Sequence, residues 1–244
     1  FWLYRKSRLN YYGVTALMAR VYLCQENLTD ALACAQEVID SKRFEFMNDS
    51  INNVYAYRNL SYIEKMARHE YVSSLYVYDL KEGRSDLFFK NLASCECVIA
   101  EGRKASIYSG MGQDLDIRSK NWFETPAGSA TEYVNKYMRG TQIPLLKLSE
   151  MYLIAAEASG DIRYLETLRA NRGYATDPLP AGANLQDEIT KEYQKEFIAE
   201  GQLFYYYKRR NMAILPITST SMNRATYVLP VPDNELEFGN FKQN

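Results

Sequence analysis

The sequence predicts a mainly α-helical fold in which stacked helical hairpins carry a long, loop-rich mixed insertion. Three observations predict it. Apolar and small residues recur at helical spacing in two neighbouring runs near the start of the chain, and a second pair of runs with an echoing sequence follows much later. Between the pairs, the helical spacing gives way to one strand-like run and to clusters of glycine and proline. At 244 residues with 47% hydrophobic content, the chain can bury a sizeable core.

From Ser7 to Cys24 the spacing of Leu9, Tyr12, Gly13, Ala16, Ala19 and Leu23 predicts a helix, which Gln25, Glu26 and Asn27 interrupt. A second helix is predicted over Asp30 to Asp40, with Ala31, Ala35, Val38 and Ile39 on one face and Thr29 or Asp30 capping its start. So short a turn requires the two to pack antiparallel. Ser149-Glu150-Met151-Tyr152-Leu153 echoes Ala19-Arg20-Val21-Tyr22-Leu23, and beyond a break at Ser159 to Asp161 another helix is predicted from Ile162 to Asn171. Small residues at close-packing positions and an aromatic near each turn resemble tetratricopeptide units, which bury their faces only by stacking.

In the insertion, Tyr71 to Tyr78 has the aromatic and β-branched content of a strand, with a turn beginning at Asp79 to Glu82. Gly102, Gly110, Gly112, Pro126 and Gly128 then punctuate a loop-rich region that holds Tyr108, Trp122, Phe123 and Tyr133. After a linker over Ala175 to Gly182, one helix is predicted from Leu185 to Arg209. The run Tyr227 to Pro232 is predicted to be extended, because each proline pushes its predecessor away from helix. The expected organisation is a helical hairpin over 1–43, an insertion over 44–141, and a second hairpin with a further helix and an extended tail over 142–244.

Composition excludes several functions. The 29 basic and 30 acidic residues cancel, so no field is present to hold a nucleic acid. No apolar run approaches the roughly 18–20 residues that a spanning helix needs. Cys24, Cys34, Cys95 and Cys97 are too sparse for a disulfide-dependent fold and lack the spacing of a zinc site, although Cys24 and Cys34 could pair in an oxidising compartment. His69 is the only histidine and builds neither a metal site nor a nucleophile–base pair. No glycine-rich phosphate loop is present, and no cofactor or metal is expected. Glu192, Glu196 and Glu200 lie four residues apart on one predicted helix face. Glycoside hydrolysis needs two carboxyls on opposite sides of the scissile bond, so these three are expected to make salt bridges with neighbours such as Lys191 and Lys195.

Four separated segments resemble one family. Ile143-Pro144-Leu145-Leu146-Lys147-Leu148-Ser149-Glu150, running on into Tyr152-Leu153-Ile154-Ala155-Ala156-Glu157-Ala158, is similar to the signature helix of SusD/RagB-like proteins. Leu168 to Gly173 resembles the end of that family's partner helix. Glu192 to Gln202 with Lys208-Arg209 resembles its next helix, and Leu229 to Glu235 its terminal motif. Asp116-Ile117-Arg118 is similar to a further D-x-R marker. One departure is plain, since tyrosines stand at 205 to 207 where the family often carries an aspartate.

The resemblance implies a SusD-like α-α superhelix and a non-catalytic glycan- or nutrient-binding lipoprotein on the outer face of the outer membrane. It also implies delivery of an oligosaccharide to a SusC-like TonB-dependent transporter. The chain is read as the C-terminal portion of such a protein, with the lipid-attachment cysteine outside it. Trp122 is the foremost candidate for the ligand site, because an indole face suits the C–H face of a pyranose while Arg118, Asp116 and Asn121 supply directional hydrogen bonds. Packing of Trp122 between the insertion and the helices is the competing reading. Tyr108 is a second candidate. The other function weighed is a tetratricopeptide-type protein-interaction scaffold with no glycan site of its own.

Overall fold

The computed structural model describes residues 7–46, 68–77, 98–99, 102–108, 115–125, 132–134, 136, 142–216, 218–232, 235, 237 and 239. Cys95, Cys97, Gly110, Gly112, Pro126, Gly128 and the expected turn at Asp79 to Glu82 lie outside these residues. The chain divides into two compact units, residues 1–199 and 200–244.

In the first unit, helix α1 (Tyr11–Cys24) begins later than its apolar spacing suggests, because Asn10 caps it. The Asn10 side chain accepts from the Gly13 N–H at 3.0 Å and donates to the Val72 carbonyl at 3.2 Å. Helix α2 (Leu28–Asp40) is capped by Asn27 rather than by Thr29 or Asp30, so it starts two residues before the expected Asp30. Far along the chain, α5 (Leu148–Ser159) and α6 (Ile162–Arg169) form the second hairpin, and α2 packs directly on α5. Fully buried alanines at 16, 19, 31, 35, 155 and 156 let these backbones approach closely. Arg20 ties the hairpins together, with its guanidinium on both carboxylate oxygens of Glu150 at 2.6 and 2.7 Å and on the Leu145 carbonyl at 2.8 Å.

The insertion leaves and re-enters this helical stack through one ladder. Strand β1 (Tyr71–Tyr76) pairs antiparallel with β5 (Gln142–Lys147), from Tyr71 opposite Lys147 to Tyr76 opposite Gln142, with irregularities on either side of Ser73. Between them lie β2 (Val98–Ile99), the short helices α3 (Arg103–Ile107) and α4 (Ile117–Asn121), β3 (Phe123–Glu124) and β4 (Glu132–Val134). Strand β4 is central to a three-stranded antiparallel sheet with β2 and β3.

Two expectations about the later helices are corrected. Beyond Arg169 the chain does not continue as regular helix to Asn171; it widens into a π-type turn over Ala170–Tyr174, where Gly173 takes φ +106°. The helix expected over 185–209 is two helices, α7 (Leu185–Glu196) and α8 (Gln202–Arg209). The carbonyl of Glu196, which would carry α7 onward, instead accepts from the ammonium groups of Lys136 and Lys147 at 2.8 and 3.2 Å. Positive φ at Ala199 and Gly201 then redirects the chain.

In the second unit, Tyr206 and Tyr207 are buried on α8 while Tyr205 faces outward. Tyr227, expected to be extended, closes a turn instead. Its N–H donates to the Asn223 carbonyl, its hydroxyl to the Met212 carbonyl at 2.8 Å, and its ring lies 5.8 Å from that of Phe204.

Candidate functional site

The four-residue spacing of Glu192 and Glu196 puts both on one face of α7, and that face turns inward: the two side chains are 0% and 1% exposed. Carboxylates so placed require cations. Arg118 of α4 donates to Glu192 at 2.7 Å and to Glu196 at 3.0 Å. Arg172, in the turn after α6, reaches Glu196 through two nitrogens at 3.1 Å and forms a two-pronged pair with Glu70 at 2.7 Å on each side. Lys147, at the end of β5, and the Ser149 hydroxyl complete the shell of Glu196 at 3.2 and 2.9 Å. Lys195 and Arg169 meet Glu192. The expected salt bridges are present for Glu192 and Glu196, whereas Glu200 lies beyond the end of α7 and does not share their face; the charges come from distant segments more than from Lys191, which pairs with Glu188.

The electrostatics follow from this shell. Burial alone would raise the Glu192 carboxyl, but Arg118 and Lys195 outweigh it and hold it at about 2. Glu196 is held well below the usual carboxylate range against the same desolvation, chiefly by Arg172 and Lys147. Neither can keep a proton near neutral pH, so neither supplies the general acid that glycoside cleavage needs. Because both carboxyls titrate lower in the folded than in the unfolded chain, their stabilisation is complete above the unfolded value near 4.5 and is lost as pH falls toward about 2. The urea midpoint is expected to drop across that window, and Glu192→Gln is expected to flatten the drop while lowering stability at neutral pH.

The sequence-predicted ligand residues gather around this cluster. Asp116 caps α4, accepting from the Arg118 N–H at 2.8 Å, and also grips the Arg118 guanidinium at 3.0 and 2.7 Å; both residues are fully buried. Trp122 ends α4 with 1% of its surface exposed and the Lys136 ammonium 3.8 Å from its ring centre. Tyr108 is fully buried, donates its hydroxyl to the Lys195 carbonyl at 3.3 Å, and packs edge-on against Phe123. Burial pushes its phenol well up. As placed, these four side chains lie in the interior, in keeping with the packing reading of Trp122. Asn121 alone of the five keeps part of its side chain accessible.

Glu70, Lys136, Lys147 and Arg172 were missed as members of this cluster. The signal for Arg172 was present, since it lies in the Leu168–Gly173 segment, but nothing local points to Glu70 or Lys136. Among the described residues, no group of three or more metal-capable side chains is present, and no helix is long and apolar enough to cross a membrane. Cys24 and Cys34 are free thiols, so the pairing considered for them is not formed.

No protein-family model and no curated protein matches the chain. Solved structures do. A SusD superfamily protein from Bacteroides thetaiotaomicron superposes with a TM-score of 0.69 at 22% identity, over 94% of this chain and 59% of its own. A SusD-like carbohydrate binding protein from Bacteroides vulgatus matches with a TM-score of 0.69 at 17% identity, over 96% of this chain and 59% of its own. Surface glycan-binding protein A from Bacteroides thetaiotaomicron, in complex with laminarihexaose, matches with a TM-score of 0.70 at 16% identity, over 99% of this chain and 65% of its own. The chain thus spans about three fifths of the length of such structures.

Proposed function

We propose that this chain, which has the helical fold of the SusD superfamily, belongs to a non-catalytic protein that captures an oligosaccharide at the bacterial cell surface and passes it to a SusC-like TonB-dependent transporter. The observation that carries the reading is the superposition of nearly the whole chain on a surface glycan-binding protein holding laminarihexaose. The chemistry of the charged cluster supports binding over cleavage, because its carboxylates are neutralised by guanidinium and ammonium groups and sealed from solvent. Anchoring to the outer face of the outer membrane by a lipid is part of the same proposal.

The glycan site is proposed for the insertion around Asn121, which is partly accessible. Calorimetry of the purified chain against a panel of polysaccharides that includes laminarihexaose is expected to show saturable binding to at least one glycan. Asn121→Ala is expected to weaken it several-fold with unchanged circular dichroism. Trp122→Ala is unsuitable for this purpose, since removing a buried indole costs roughly 3–5 kcal/mol of stability. Silence across the panel from a folded protein would remove the glycan role from this chain.

A further inference from the structure

The β1–β5 ladder closes on an aromatic–amide pair. Tyr76, the last residue of β1, stands opposite Gln142, the first of β5, so their side chains share the face that Leu75 and Ile143 do not. The next pair inward on that face, Ser74 and Pro144, is buried, whereas Tyr76 is 47% exposed. The Gln142 side chain donates to the Ser7 hydroxyl oxygen at 3.3 Å, and both residues are partly accessible. That bond engages one N–H of the amide and one lone pair of the hydroxyl. Among the described residues, the amide carbonyl and the hydroxyl hydrogen take no other partner, so both are available to a ligand.

A half-open aromatic ring beside an amide and a hydroxyl meets the needs of a pyranose. The ring offers apolar area to the C–H face, while the amide and the hydroxyl pair with sugar hydroxyls. A wholly apolar partner fits less well, because covering this spot would leave the amide carbonyl buried and unpaired. None of the three side chains is charged, which suits a neutral sugar over a uronate or a sulfate ester. Position adds to this, since β1 and β5 are the strands through which the insertion leaves and re-enters the helical stack. We propose that Tyr76, Gln142 and Ser7 form a contact subsite for a neutral hexose unit of an oligosaccharide. This subsite rests on the glycan-binding reading above and adds a contact on the ladder to that at Asn121.

Calorimetry of the purified chain with laminarihexaose, cellohexaose and mannohexaose, and with the neutral polysaccharides of the panel, tests the subsite. At least one of these is expected to bind, and Tyr76→Ala is expected to weaken that binding about tenfold through loss of stacking. Tyr76→Phe keeps the ring and is expected to stay within about twofold of the parent. Gln142→Ala is expected to weaken binding several-fold, with circular dichroism and melting unchanged in all three variants. Should Tyr76→Ala lower the melting temperature, Gln142→Ala alone decides. A neutral glycan bound equally by the parent, Tyr76→Ala and Gln142→Ala overturns the subsite and leaves the glycan role standing. Binding confined to charged polysaccharides overturns it in the same way. Silence of the folded chain toward every glycan overturns the glycan role and the subsite together.

Discussion

Arg172→Ala is expected to destabilise the protein by roughly 3–5 kcal/mol, the range for removing one partner of a buried, hydrogen-bonded ion pair. Two carboxylates lose one shared cation at once: Glu70, held at 2.7 Å by both guanidinium arms, and Glu196, touched by two of its nitrogens and left with Arg118 and Lys147. The Glu70 side chain is 0% exposed, so water cannot take the place of the arginine without opening the structure. Equilibrium denaturation in urea measures the effect. A double-mutant cycle with Glu70→Ala is expected to recover part of the loss, because the doubly truncated protein no longer buries a carboxylate that has lost its arginine. A loss below about 1 kcal/mol for the single variant would mean that solvent reaches the cluster and that the pair contributes as surface pairs do.

Gly173→Ala is expected to cost roughly 3 kcal/mol or more, through a different cause. At φ +106° the residue occupies backbone space that only glycine enters readily, and an added Cβ would lie 2.2 Å from the Leu115 carbonyl oxygen. Leu115 immediately precedes Asp116, so relieving that overlap moves the segment that presents Arg118 to both glutamates. Gly160→Ala serves as the comparison. Gly160 also has positive φ, +70°, but nothing lies within 4 Å of its added Cβ, and its replacement is expected to cost only about 1–2 kcal/mol. Equal losses at the two positions would show that conformation alone, and not the close approach to Leu115, sets the requirement at 173.

The contrast between what was and was not legible in the sequence follows the range of the forces involved. The hairpins are encoded locally, in alanines three and four residues apart and in short polar turns, and their reading survives even though an insertion separates them. Strand β1 is likewise written in its own aromatic and β-branched residues. The Glu192–Glu196 spacing and the Asp116–Arg118 pair were both visible as patterns, yet their partnership bridges more than seventy residues. Read separately, the glutamates suggest salt bridges to near neighbours such as Lys191 and Lys195, and the Asp116–Arg118 pair suggests part of a sugar site. The end of α7 was hidden for the same reason, since lysines at 136 and 147 occupy the Glu196 carbonyl. The turn at Tyr227 is a different case: Asn223 and Thr226 exchange side-chain to backbone bonds, and that local signature was available but outweighed by the prolines after it.

The ladder of β1 and β5 has an evolutionary corollary. Because the insertion departs and returns side by side, its length is uncoupled from the path of the helical stack; doubling a flexible loop adds only about 0.6 kcal/mol of closure entropy. Between 77 and 141 a change in loop length costs little in closure, while Tyr108, the Asp116–Arg118 segment and Lys136 each hold the intervening chain to α7. A helical frame entered and left at one ladder can accept changes between the two strands without being refolded.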